Sequence, residues 1–149
     1  MKKIILVIIV IIVIAQFFGP EKNQGDLSSI NPFLEETNPP ENVKAILKES
    51  CYDCHTDHTR YPWYNNITPV NYWLAIHVED GKKHLNFSNW ENMPVKRKDH
   101  KFEELIEMVE DKEMPLNSYT WIHTEAKLSD EQIKEVVGWA KKVRENYSL

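Results

Sequence analysis

Cys51-Tyr52-Asp53-Cys54-His55 gathers two thiols and an imidazole within five residues, and no other cysteine occurs in the 149-residue chain. Three chemistries use such a cluster. A structural zinc ion takes four protein ligands, usually from two such clusters. Only three are offered here, and adjacent Cys54 and His55 are hard to aim at one tetrahedral ion. Thiol–disulfide exchange needs a thiolate activated at a helix N-terminus, typically after a strand; here the cysteines follow a helix, with no βαβ pattern nearby. A plain disulfide suits an oxidising compartment. Covalent haem attachment fits best: each thiol adds to one haem vinyl group, and His55 is carried under the iron as its proximal ligand.

An iron held by His55 has a second axial position. Met114 is the leading candidate, on a helix-terminating loop with Pro115 behind it to stiffen the backbone. Its alternative role is core filling, to which a thioether adapts well. His77 is the rival ligand, projecting from an apolar helix face, where a histidine also serves as a core residue or a haem-propionate partner. Met93, followed by Pro94, shares the local signature but precedes a charged stretch, Lys96-Arg97-Lys98, and reads as exposed. His123 is a candidate propionate partner or helix cap, while His58, His84 and His100 read as solvated.

The elements that must position these groups are helical. The first runs from about Glu41 to Ser50, with Pro39 and Pro40 at its start and Val43, Ile46 and Leu47 on one face. It delivers the chain to Cys51. A second begins near Pro69, places Val70, Trp73, Leu74, His77 and Val78 on one face, and ends around Gly81 to Asn86. A third runs from about Asp99 to Lys112 on Phe102, Leu105, Ile106 and Val109, and Glu113-Met114-Pro115 terminates it. The last opens with a capping box, Ser129 with Gln132, and carries Ile133, Val136, Val137, Ala140, Val143 and Tyr147. Five Trp, six Tyr and five Phe suit a core built around a large flat apolar object, although aromatics are also ordinary core filling.

Ahead of these helices stands Met1-Lys2-Lys3 and an apolar run from Ile4 to Phe18, broken by Gln16. Lysines before such a run place the N-terminus in the cytoplasm and send the rest across a membrane. Those residues would rise about 22 Å as a helix, somewhat less than the roughly 30 Å hydrocarbon core. Val13-Ile14-Ala15 is a tolerable cleavage site, but no polar region precedes it, so an uncleaved anchor over residues 1–18 is expected. Residues 19–40, rich in Pro, Asn, Glu and Ser, read as a flexible tether, and 41–149 as the folded domain. The net charge of −5 grows more negative once Lys2 and Lys3 are set aside. It argues against nucleic acid and fits a basic protein partner.

The run from Cys51-Tyr52-Asp53-Cys54-His55 through Tyr61-Pro62-Trp63-Tyr64, Ile67-Thr68-Pro69-Val70 and His84-Leu85-Asn86-Phe87-Ser88 to Trp90 resembles the bacterial haem-binding-domain family of cytochrome-c-like proteins. Glu113-Met114-Pro115-Leu116, Ser118-Tyr119, His123 and Ala126-Lys127-Leu128-Ser129 continue the likeness, which covers about residues 35 to 145. It implies an all-α, cytochrome-c-like domain of about four helices around one covalent haem c, here preceded by an N-terminal membrane-spanning helix. It further implies a periplasmic or membrane-facing setting. Cytochrome-c-like proteins commonly place the ligand methionine in a late loop before the C-terminal helix, where Met114 lies.

A His55/Met114 pair fills both axial positions and favours ferrous iron, which points to single-electron transfer rather than catalysis. No general base or nucleophile pair is visible beside the motif. The expected partners are therefore haem, redox proteins at the membrane, and the inner membrane itself through a single-pass helix, with the domain in the periplasm. A haem-based sensor with a displaceable sixth ligand is the alternative. A peroxidase-like enzyme would need open iron and a distal histidine such as His77.

Overall fold

The computed structural model describes residues 1–147. Among them there is no β-strand, only an isolated antiparallel bridge between Gln24 and His58, so the expected all-helical class is met, with eight α-helices where about four and an N-terminal span were expected. The α-helices are α1 (Lys2–Ala15), α2 (Asn31–Thr37), α3 (Glu41–Ser50), α4 (Tyr52–His55), α5 (Val70–His84), α6 (Val95–Glu110), α7 (Asn117–Thr120) and α8 (Asp130–Tyr147).

Local chemistry explains most boundaries. Pro40 leads into α3 in extended conformation, Glu41 lies in its first turn and Lys48 in its last, matching the helix dipole at both ends. The capping box of α8 is made both ways: the Ser129 N–H donates to Gln132 Oε1 at 2.8 Å, and the Gln132 N–H to Ser129 Oγ at 3.2 Å. α6 begins one turn earlier than its apolar spacing suggests, directly after Pro94. That added turn buries Lys98, whose ammonium pairs with Glu36 at 2.6 Å and lies over the Trp90 ring. α6 also stops before Met114: Lys112 turns left-handed at φ 59°, and the N–H groups of Glu113 and Met114 both return to the Met108 carbonyl.

The core lies where α8 packs against both α6 and α3. Val43, Leu47, Phe102, Ile106, Val136, Ala140 and Val143 fill it. Its centre is aromatic: Phe33 meets Phe87 at 4.4 Å, Trp90 edge-on at 5.1 Å and Trp139 edge-on at 6.0 Å between ring centroids. These rings pack on one another, the ordinary core filling that the aromatic content also allowed.

Two N-terminal expectations change. Residues 1–18 were expected to span a membrane. The helix there is the 14-residue α1, a rise of about 21 Å at 1.5 Å per residue, and no helix among the described residues is long and apolar enough to cross a membrane. The single-pass inner-membrane localisation falls with it. Gln16 is the physical reason the run stops short. Its side chain donates to Ile12 O within the helix and to Thr68 O, and accepts from the Thr68 N–H at 2.9 Å, tying the helix end to the folded unit.

Residues 19–40 also depart from a flexible tether. Asn23 donates to Thr56 O and Thr59 Oγ1 and accepts from Lys82 at 2.7 Å, clamping the loop after the cysteine motif. Further along, Asp26 caps a short 3-10 turn by accepting from the Ser28 N–H, and α2 sends Phe33 into the core with no exposed surface. The packed unit therefore starts well before residue 41.

Candidate functional site: a histidine and two methionines around one apolar cavity

Cys51 closes α3 and opens α4. Its N–H donates to Leu47 O, and its own carbonyl receives the N–H groups of Cys54 and His55, at 3.2 and 3.0 Å. This single turn sets the two sulfurs and the imidazole in one compact frame. Both cysteines are free and half-buried. Burial pushes the Cys51 thiol up to about 12, helped by Cys54, and the Cys54 thiol up to about 11, helped by Asp53. Burial therefore works against a free thiolate on either sulfur.

The imidazole is oriented from behind. His55 Nδ1 lies 2.9 Å from the carbonyl oxygen of Leu85, the residue that closes α5. A carbonyl can only accept, so Nδ1 carries the proton and the Nε2 lone pair is the ligating position. Burial holds His55 below the usual imidazole value, against the opposing pull of the Leu85 and Gly81 carbonyls, and nearby His84 adds to the lowering. A neutral imidazole is the form that binds a metal.

His55 and Cys51 line a cavity of about 440 Å³ together with Met114, Met108, Leu85, Phe87, Leu105 and Val109. Its volume lies within the range of cofactor pockets. The walls are apolar, a neutral imidazole enters from one element, and thioethers enter from another. This donor set fits a haem iron, for which imidazole and thioether are both ordinary ligands. Glu104, Glu107, Lys101 and His84 supply the polar lining. A larger open groove of about 950 Å³ runs between residues 20–25 and α5, but it is lined by Asp57, Glu79, Lys82 and Lys83 and contains none of the motif's cysteines or its histidine.

The remaining candidates lie elsewhere. Cys54 and His77 share a narrow groove on another side of the motif, with Tyr64, Tyr119, Ile122 and His123. His77 Nδ1 lies 2.8 Å from Trp73 O in its own helix. Met93 packs at the edge of the core and lines a small polar recess with Lys82 and Arg97. His123 bonds Tyr64 Oη through Nε2 at 2.7 Å and stacks on Tyr119. His58 bonds Gly25 O, and His100 faces Glu103 and Glu104.

Sequence reasoning missed Met108 and the Leu85 carbonyl, and read His84 only as solvated. Met108 stands at the end of a regular helix without a proline or turn to mark it. The Leu85 carbonyl has no side-chain signature, although a helix ending near residue 85 was itself legible.

Gly81 lets α5 approach this frame. A Cβ on it would sit 2.8 Å from Cys54 O and 3.1 Å from Cys54 Cβ, and the first of these is backbone. Gly81→Ala is therefore expected to destabilise the protein by about 1–3 kcal/mol through overpacking, offset by up to about 1 kcal/mol of helix propensity. Urea unfolding of the two proteins checks this; a more stable variant would mean the helix and motif are not in contact.

No curated protein and no solved structure matches the chain. A family model described as a haem-binding domain matches residues 10–142.

Proposed function

The chain belongs to the haem-binding-domain family, and we propose that this haem-binding protein holds one c-type haem through Cys51 and Cys54, with His55 and Met114 as axial ligands, and passes single electrons. One observation carries the reading: Cys51, His55 and Met114 line the same apolar cavity. When bound there, the haem supplies a one-electron iron couple.

The chain's own groups do the rest. The α3–α4 turn would supply the sulfurs, Cys51 from the cavity wall and Cys54 from the groove on the motif's other side, and the Leu85 carbonyl holds His55 Nδ1 so that Nε2 is left as the ligating nitrogen. Leu85, Phe87, Leu105 and Val109 exclude water, which together with a thioether ligand favours the ferrous state and a high potential. The acidic net charge of −5 suits a redox partner with a basic face.

The test is expression of the full chain with a haem-attachment machinery, followed by haem staining on a denaturing gel. Stain travelling with the chain is the expected result; a colourless band alongside a stained control cytochrome would remove the proposal. Carbon monoxide then separates electron transfer from ligand sensing. The reduced wild-type protein is expected to bind it slowly, and Met114→Ala at least tenfold faster, since open iron needs no ligand displacement. Rapid binding by the wild type would favour the sensor.

A further inference from the structure

Asp53, the third residue of the motif, points away from the cavity and is 8 % exposed. Its carboxylate is fully engaged. Oδ1 accepts from the Arg60 N–H and Nε, each at 3.0 Å, and Oδ2 accepts from Arg60 Nη2 at 3.0 Å and from Tyr119 Oη at 2.8 Å. The Arg60 contacts are local, within the loop that leaves the motif. The Tyr119 contact is not: it spans 66 residues and joins the turn bearing Cys51, Cys54 and His55 to the segment that follows Met114.

That segment is short and stiff. Leu116 leads into α7, and its carbonyl receives the N–H groups of Tyr119 and Thr120, both at 3.0 Å. The Tyr119 ring is stacked on His123 at 4.5 Å and 21°, and His123 is bonded to Tyr64. On its other side Met114 is fastened by its N–H to Met108 O at 3.0 Å. The loop carrying Met114 is thus pinned at one end to α6 and at the other to Asp53.

We propose that the Asp53–Tyr119 hydrogen bond is a positioning device that holds the Met114 loop in register with the His55 side of the site. Neither residue touches the cavity, so neither is a ligand. Asp53 and Tyr119 act through the backbone between Met114 and Tyr119, and their effect is on how firmly the sulfur is kept in place. The inference rests on the Met114 ligation proposed above.

The test measures imidazole binding to the oxidised, haem-loaded full chain by absorbance, because imidazole must displace the methionine to bind. Tyr119→Phe is expected to raise the apparent affinity about tenfold, the order set by losing a hydrogen bond to a carboxylate. Tyr147→Phe is the matched control, deleting a tyrosine hydroxyl that donates to the Glu36 carboxylate at 2.5 Å, remote from the cavity; it is expected to leave imidazole affinity unchanged. Asp53→Asn should move the readout in the same direction, and the double variant with Tyr119→Phe less than the two separate effects combined, as for two groups acting through one bond.

Equal affinities in Tyr119→Phe and Tyr147→Phe, with an intact methionine-ligated wild-type spectrum, would overturn the positioning role alone. A wild-type spectrum lacking methionine ligation would overturn both this inference and the ligand assignment beneath it. If Tyr119→Phe folds poorly by helical circular dichroism, the Asp53→Asn measurement decides by itself, an unchanged affinity counting against the proposal.

Discussion

Replacing both motif cysteines, Cys51→Ala with Cys54→Ala, is expected to abolish haem staining on a denaturing gel while leaving a folded chain. The difference lies in bond type. An apolar cavity and two axial ligands hold a haem only while the fold persists, whereas a thioether survives denaturation. In the attachment proposed above each S–H would add across one vinyl double bond, sulfur to one carbon and hydrogen to the other, so two thiols would account for two bonds with no oxidant. Each single variant should keep a stained band, with its absorption shifted by the vinyl group left unsaturated. Alanine is a good helix residue, and the turn it enters is held by backbone N–H groups donating to the Leu47 and Cys51 carbonyls; far-ultraviolet circular dichroism should therefore stay near wild type. Stain retained by the double variant would place the attachment at another residue and undo the reading of the motif.

The sequence carried this site unevenly, and the division follows range. Interactions that close within one turn were legible: Pro40 before α3, the reciprocal Ser129 and Gln132 cap of α8, and the cysteine pair with its following histidine. The helix from Glu41 to Ser50 was read at its observed bounds because a proline start and a chemically distinct stop frame it. What could not be read depends on contacts across many residues. Lys98 looked like part of an exposed basic run, yet Glu36, 62 positions away, draws it into the buried layer. Met108 carries no mark of its own and enters the cavity only because α6 turns that side toward α4 and α5. Asp53 lies 66 residues from Tyr119, so the bond between them is invisible until the chain is folded.

Apolar periodicity was similarly silent about what covers a face. The stripe on α5 was well formed, but only Val78 of it is buried, and Trp73 remains 42 % exposed. At the N-terminus, hydrophobicity alone suggested a span and the polar residues after it a tether. Gln16 and Asn23 decide otherwise in the fold, each by satisfying backbone groups of the unit that follows.

Phe33→Ala is expected to cost about 3–5 kcal/mol of stability, the range for emptying a buried aromatic site. For a domain whose whole margin is about 5–15 kcal/mol, that is a large share. Phe33 has no exposed surface and is ringed by Phe87, Trp90, Trp139 and Phe102, so the hole has rigid walls that cannot collapse into it. The expected observation is a urea midpoint lowered at nearly constant slope. A residue in a loose connector would shift stability by less than about 0.5 kcal/mol, so the same experiment decides whether residues 27–37 belong to the folded unit. It also reaches the site. Phe87, the nearest neighbour of Phe33 at 4.4 Å, forms part of the cavity wall and lies edge-on to His55 at 6.3 Å. Vacating position 33 frees Phe87 to retreat from the imidazole and admits water to the wall it now seals. Lower stability should therefore come with a lower reduction potential in the haem-loaded protein, and an unchanged potential would show that Phe87 is held from the Tyr52 side without help from the aromatic core behind it.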